Sequence, residues 1–205
     1  ELSARLAEQD AATEHIDRVA AEGVMIWVDR SLCRMVEETA PTVPKWSPAA
    51  VLPAPSGVML FDTPVAPLVW VDEDETLPAT CDGVAWDTRE GVVRLQMLTR
   101  LRQHRDRLSP IRVKSPVVVA LTCAFPTTAV MGAGLEFASR QGEVVREAGH
   151  AAIAAIGACW LLMGQQSVVE DTPTVVRRRT PRAGGANGEV VSPMVTISER
   201  RLRRR

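Results

Sequence analysis

Residues 142–166, GEVVREAGHAAIAAIGACWLLMGQQ, constrain the fold of this chain more than any other stretch. No charged residue lies between Ala148 and Met163, and bulky side chains recur at steps of three and four that cover most of a helix surface. Helices that are apolar on nearly all sides are buried. The uncharged stretch is shorter than the roughly 20 apolar residues that cross a bilayer. We therefore predict a long buried helix over about 140–166, in which small residues such as Gly157 let other elements approach the backbone.

The composition is that of an ordinary globular protein, with 205 residues of which 46% are hydrophobic and 24% charged. This length suits one domain, or one domain with an appendage. The four cysteines lie far apart without a CxxC pair, and the N-terminal residues do not have the composition of a signal peptide. We expect buried, reduced thiols in a cytoplasmic protein without a membrane segment. Arginine outnumbers lysine 22 to 2, which indicates a GC-rich bacterial genome.

Residues 1–40 form the first predicted segment, which is helical. Apolar side chains recur at helical spacing over residues 2–22, and Gly23 is a natural end for that helix. A second helix is predicted over residues 24–38, although Val24–Val28 alone could equally form a strand.

Residues 41–56 form the second segment, a proline-rich connection. Five of the fourteen prolines fall within it, a density that predicts an extended chain rather than a helix or the interior of a sheet. Trp46 is predicted to anchor this connection to the body of the protein, with an exposed contact as the alternative.

Residues 57–170 are predicted to form an α+β core. Residues 87–91, DTREG, have the composition of a tight hairpin, and residues 116–123, PVVVALTC, predict a central strand buried on both faces. Because runs of helices and runs of strands are separated along the chain, the sheet is predicted to be mostly antiparallel. The short apolar runs that predict a β-meander are residues 58–61, 68–71, 84–86 and 92–97, the last giving way to a helix through residue 107.

Residues 171–205 are predicted to form a flexible basic tail. The net charge is +7 over residues 177–205, whereas residues 1–176 carry −8. The stretch between Val176 and Val190 lacks bulky residues and cannot bury enough surface to order itself. Residues after it alternate in polarity and could form a strand, which Pro193 restricts to an edge of the sheet.

Residues 146–150, REAGH, resemble the HEAGH signature of the FtsH-type zinc metalloproteases. In that signature two histidines one helical turn apart hold zinc, and the glutamate between them acts as base. Here the first ligand position is Arg146, a cation that cannot bind zinc. Glu147 and His150 are therefore predicted to be a structural pair at the start of the helix, with one half of a carboxylate-bridged metal site as the weaker alternative.

Carboxylates concentrate in residues 72–75 and at Asp82 and Asp87. Loops could assemble a Mg²⁺ site from them, but a solvated acidic loop is the favoured interpretation. The sequence lacks the GxxxxGK[ST] phosphate loop, the GxGxxG dinucleotide turn and the GxSxG nucleophile elbow. We predict no catalytic residue, no metal ligand and no cofactor, and we favour a non-enzymatic protein.

Two arginine-rich stretches supply the candidate functional residues. Arginine presents a planar fork of donors that suits phosphate groups. The predicted nucleic-acid contacts are Arg100, Arg102, Arg105, Arg107, Arg177, Arg178, Arg179, Arg182, Arg200, Arg201, Arg203, Arg204 and Arg205.

The function predicted from these stretches is binding of DNA or RNA through the phosphate backbone, with little reading of the bases. The aromatic residues that single-strand stacking platforms need are missing among the arginines. The alternative is a subunit of an oligomeric assembly, whose basic tail docks on an acidic protein surface or on another copy of the chain.

Overall fold

The computed structural model describes residues 2–72, 75–100, 117–132, 143–165, 169–177 and 194–202. Helices and strands both occur in these residues, and the α+β fold class predicted from the sequence is confirmed. The helices are α1 (Leu2–Glu22), α2 (Arg30–Thr39), α3 (Pro48–Val51) and α4 (Glu143–Met163), with a 3-10 turn at Ala40–Thr42. The strands are β1 (Val24–Val28), β2 (Ser56–Phe61), β3 (Pro67–Asp72), β4 (Glu75–Thr80), β5 (Gly83–Arg89), β6 (Val92–Arg100), β7 (Val117–Pro126), β8 (Val169–Arg177) and β9 (Met194–Leu202).

Seven strands form one mixed sheet in the order β7-β6-β5-β2-β1-β9-β8. β1 is parallel to both of its neighbours, β2 and β9, and the other neighbouring strands in this sheet are antiparallel. β3 and β4 pair with each other as a separate antiparallel sheet. The prediction of a mostly antiparallel sheet is confirmed, and three adjacent strands inside it run in the same direction.

α4 is the centre of the main core, as the sequence predicts. Its residues Ile153, Ile156 and Trp160 are at most 3% exposed. The ring of Trp160 meets those of Trp46 and Trp86 edge-on, at centroid distances of 5.9 and 5.7 Å. The length and composition of α4 would also suit a membrane span, but this helix is mostly buried inside the protein, which is the environment of a core helix.

Trp46 anchors the proline-rich connection to the core, which confirms that prediction. Its side chain is 4% exposed, and its backbone exchanges hydrogen bonds of 3.0 and 2.7 Å with Met131. A Cβ at Gly157 of α4 would overlap the indole, so only glycine permits this packing. The connection is less extended than predicted because it contains α3. This short helix begins at Pro48, and proline is tolerated in the first turn because the N–H there has no intrahelical partner.

α1 covers part of the opposite face of the sheet. Its residue Val19 is 3% exposed and packs with Val58, Ala85 and Leu98 in a second, smaller core. The two cores lie on opposite faces of the same strands.

The predicted hairpin between β5 and β6 is confirmed. Arg89 pairs with Val92, so Glu90 and Gly91 form a two-residue loop. Their φ values are 51° and 75°. Positive φ at both loop residues is what a type I′ turn requires, and its twist matches that of the two strands.

The prediction of a helix over residues 24–38 is wrong for its first part, because Val24–Val28 forms β1. α2 starts at Arg30 and is capped by Asp29, whose Oδ1 accepts a 2.8 Å hydrogen bond from the N–H of Leu32. β-Branched and aromatic residues favour strands where neighbouring strands are present to pair with. Those neighbours, β2 and β9, come from distant parts of the chain, so the local spacing could not decide between the two structures.

The predicted central position of residues 116–123 is also wrong. They form most of β7, which stands at one end of the strand order and, among the described residues, pairs with β6 alone. Burial alternates along it, with Val118, Leu121 and Cys123 buried and the residues between them more exposed. A run of β-branched residues therefore indicated a strand but not its place in the sheet.

The segment predicted as a flexible tail contributes β8 and β9 to the main sheet. β9 lies between β1 and β8, so it is an internal strand rather than the predicted edge strand. Pro193 does not prevent this because it precedes the first residue of β9, and Pro173 lies in the outer strand β8, where proline is tolerated. The predicted boundary after residue 170 falls within β8. Residues 178–193 lie outside the described residues.

Two other predicted features include residues that the structure does not describe. Asp72 ends β3 and Glu75 begins β4, so these acidic residues belong to strands, whereas residues 73–74 are not described. β4 was not predicted, because ETLPAT contains a proline and lacks an apolar run. β6 extends to Arg100, and the helix predicted after it lies outside the described residues.

Candidate functional site

Charged residues gather where the three parallel strands end. β1, β2 and β9 run in the same direction, β5 begins beside the end of β2, and β6 ends beside the start of β5. We call this region the carboxyl end of the sheet, and it contains Asp29, Arg30, Asp62, Asp82, Arg100 and Arg200. Ligands of open sheets commonly bind at the carboxyl ends of parallel strands. It is therefore the candidate site.

Asp82 is the buried polar centre of the carboxyl end, with 2% of its surface exposed. One carboxylate oxygen accepts hydrogen bonds from the Thr80 hydroxyl at 2.8 Å and the Arg100 backbone N–H at 3.0 Å, with the Thr99 hydroxyl at 3.5 Å. The other oxygen lies 3.3 Å from the Arg100 Nε. A buried carboxylate is tolerated because a cation and several donors surround it.

Arg100, one of the predicted nucleic-acid contacts, makes its interactions inside the protein. Its Nη2 donates hydrogen bonds to the carbonyl oxygens of Phe61, at 2.6 Å, and Asp62, at 3.0 Å. Its side chain is 26% exposed. Arg100 thus joins the end of β6 to the end of β2 and holds the two strand ends in place.

Arg30 and Asp62 form the exposed part of the carboxyl end. The Arg30 Nε lies 3.2 Å from an Asp62 carboxylate oxygen, and the two side chains are 64% and 35% exposed. Arg200 lies on the neighbouring strand β9, where its carbonyl accepts a 3.0 Å hydrogen bond from the Asp29 N–H. Its side chain is half-buried. Of these cations, Arg30 is the one whose guanidinium can readily reach a ligand in solvent.

The other predicted arginines that the structure describes lie at both ends of the sheet. Arg100 pairs with Val117, so the chain leaves β6 and enters β7 at the carboxyl end. Arg201 lies near the end of β9, at the same end. Arg177 closes β8 at the opposite, amino end, about 26 Å away for a nine-residue strand. Outside the described residues lie Arg102, Arg105, Arg107, Arg178, Arg179, Arg182, Arg203, Arg204 and Arg205.

A second polar cluster, which the sequence analysis missed, lies under α1. The Arg18 Nη2 is 2.7 Å from the His15 Nδ1, and the His15 Nε2 is 3.6 Å from an Asp87 carboxylate oxygen. The other oxygen of Asp87 is 3.0 Å from the Arg89 Nε. Burial lowers the pKa of His15, Asp87 opposes this shift, and the nearby arginines Arg18, Arg94 and Arg89 add to it. His15 and Asp87 are 72 positions apart, so no local motif could have revealed their contact.

The residues considered for catalysis lie in three separate parts of the fold. Glu147 is exposed and His150 half-buried within one turn of α4, whereas Asp82 directly precedes β5 and Asp87 lies five residues further along the chain, within β5. The backbone positions of Asp82 and Asp87 are about 17 Å apart at the rise of an extended chain, too far for their carboxylates to share an ion. Within the described ranges, no group of three or more His, Cys, Asp or Glu side chains is arranged to hold a metal.

The four cysteines are free and buried, as predicted. Burial raises the pKa of Cys33 and Cys159 and raises that of Cys81 and Cys123 to about 12. Each thiol therefore stays protonated at neutral pH and is a poor nucleophile.

No family model, curated protein or solved structure matches this chain. Its function must be inferred from the geometry and charge of its own residues. The carboxyl end offers a rigid scaffold, made by Asp82 and Arg100, beside exposed arginine.

Proposed function

We propose that this protein binds the phosphate backbone of DNA or RNA at the carboxyl end of its sheet. The observation that supports this most directly is that β6 and β9, which end at the same side of the sheet, are each followed in the sequence by arginines. One arginine-rich part of the chain begins after Arg100 at the end of β6, and the other follows Leu202 at the end of β9. Arg30 is exposed and follows β1, which lies between β6 and β9 in the strand order.

The chain segments that follow these two strand ends have a charge that suits a polyanion. Residues 101–116 contain five basic residues and one aspartate, and residues 203–205 are three arginines. The remainder of the chain is acidic on balance, although it includes the arginines of residues 177–182. Phosphate contacts by arginine and lysine supply most of the affinity of sequence-independent nucleic-acid binding.

Arg100 has a supporting role in this proposal. Its contacts with Asp82 and with the carbonyl groups of Phe61 and Asp62 fix the point at which residues 101–116 leave the sheet. The phosphate contacts are then made by Arg102, Arg105, Arg107 and the C-terminal arginines. Recognition is of the backbone, because residues 101–116 and 203–205 contain no Phe, Trp or Tyr that could stack on bases.

Replacing the arginines in groups of three tests the proposal. The carboxyl-end variants are Arg102, Arg105 and Arg107→Gln and, separately, Arg203, Arg204 and Arg205→Gln. The matched control is Arg177, Arg178 and Arg179→Gln, which removes the same charge near the amino end. We expect each carboxyl-end variant to weaken binding of a labelled duplex or single strand by at least about tenfold at low salt, as for three lost phosphate contacts. The control should lose less than about threefold.

The outcomes test separately whether the protein binds nucleic acid and whether it does so at the carboxyl end of the sheet. An equal loss in all three variants would keep nucleic-acid binding but contradict the carboxyl-end site. If the unmodified protein binds neither duplex nor single strand at low salt, the function itself is wrong. The arginines would then be better explained by docking on an acidic protein surface or on a second copy of the chain.

A further inference from the structure

Among the residues of α1 whose side chains are described, those from 11 to 22, few apolar side chains contact the sheet. Val19 is the fully buried apolar residue of α1 among those whose side chains are described, and Ile16 and Ala20 are partly buried beside it. They cover Val58 and its neighbours on β5 and β6, in a core separate from the one around α4. These side chains contribute only a few kcal/mol, so the polar contacts made by the same part of α1 are of comparable importance to its docking.

The protonation state of His15 follows from its neighbours. Arginine can only donate hydrogen bonds, so the Nδ1 facing Arg18 at 2.7 Å must be an acceptor. The proton of the neutral ring is therefore on Nε2, which faces Asp87 at 3.6 Å. His15 is thus docked as a neutral side chain with a defined tautomer.

A second proton on His15 would have no acceptor in this arrangement. It would add to Nδ1, where the Arg18 guanidinium already points a donor at the ring. Asp87 could compensate only in part, because Arg89 already lies 3.0 Å from its other oxygen. Arg94 adds a further positive charge nearby. Protonated His15 would therefore be a cation near three arginines, and Arg89 already contacts the one carboxylate beside it.

The charged surroundings of His15 come from few elements. α1 contributes Arg18, with Glu14 and Asp17 adjacent in sequence, β5 contributes Asp87 and Arg89, and β6 contributes Arg94. The other strands that α1 contacts, β1, β2 and β7, contain no charged residue.

We propose that α1 is a pH-gated cover, which protonation of His15 releases from the sheet so that the apolar surface of Val58, Ala85 and Leu98 is uncovered. This device is independent of the nucleic-acid proposal. The direction follows from linkage. Burial and the nearby arginines lower the pKa of docked His15, so the docked helix binds the proton more weakly than the released helix. The stability of docking is then complete above the pKa of the released histidine, about 6.5, and falls below it until the pKa of docked His15 is reached.

Hydrogen exchange in the full-length protein tests the proposal. Protection of the α1 amides, corrected for the intrinsic effect of pH, should fall as pH is lowered below about 6.5, by at most tenfold per pH unit because a single proton is involved. Protection of α4 should persist over the same range. Binding of a hydrophobic dye should increase in parallel with the loss of α1 protection.

Three variants identify the group responsible. His15→Gln should remove the pH dependence of α1 protection, and Arg18→Gln should reduce it because docked His15 then accepts a proton more easily. His150→Gln, on the other face of the sheet, is the matched control and should behave like the unmodified protein. The proposal is overturned if α1 protection does not change with pH, if the change persists in His15→Gln, or if α1 and α4 lose protection together.

Discussion

Arg30 and Arg100 carry the same guanidinium group, but their surroundings give them different roles. Arg30 is paired with Asp62 at the surface, where water and salt screen the interaction. Arg100 is paired with the buried carboxylate of Asp82 and also bridges two strand ends. The sequence could predict that this region is rich in arginine. It could not predict that Arg100 turns inward, because Asp82 is 18 positions away and the two meet only after β5 and β6 pair.

This difference gives a prediction for stability. Arg100→Gln should lower the free energy of unfolding by about 3 to 5 kcal/mol, because it leaves a buried carboxylate without its cation. Arg30→Gln, the matched control, should lower it by less than about 1 kcal/mol. Denaturant unfolding measures both, and a double variant with Asp82→Asn should recover part of the loss. Equal small effects for the two single variants would show that Arg100 does not stabilise the buried carboxylate.

At the scale of single elements, the patterns that depend on one segment alone were predictive. The apolar stretch of α4 indicated a buried helix, and its glycines indicated close approach by another element, which proves to be Trp46 at Gly157. The structures of Val24–Val28 and of β9 were decided by pairing between distant segments, so local spacing could not determine them. The position of a strand in the sheet also depends on pairing between distant segments, as the terminal position of β7 demonstrates.

The close approach at Gly157 can be tested with a single methyl group. Gly157→Ala would place a Cβ within the indole of Trp46 and should lower the free energy of unfolding by about 1 to 3 kcal/mol through overpacking. Gly164→Ala is the control, since the nearest atom to its Cβ would be 3.4 Å away. It should change stability by less than about 0.5 kcal/mol. A Gly157→Ala protein as stable as the control would mean that Trp46 does not pack against α4 in this way.

At the scale of the whole molecule, the fold decides from which end of the sheet the arginine-rich parts of the chain continue. The sheet and its two cores contain few of the predicted nucleic-acid contacts, and two arginine-rich parts of the chain continue from its carboxyl end. The sequence predicted the net positive charge of the C-terminal residues, but not that β9 ends at the same side of the sheet as β6. That arrangement depends on the parallel pairing of β1 with β9.

The salt dependence of nucleic-acid binding by the full-length protein tests this account most directly. The logarithm of the association constant for duplex DNA should fall linearly with the logarithm of the salt concentration. A slope between about −3 and −6 is expected, which corresponds to roughly three to seven phosphates neutralised at about −0.9 each. Binding that does not change with salt, or no binding of either a duplex or a single strand of DNA or RNA at low salt, would contradict the account.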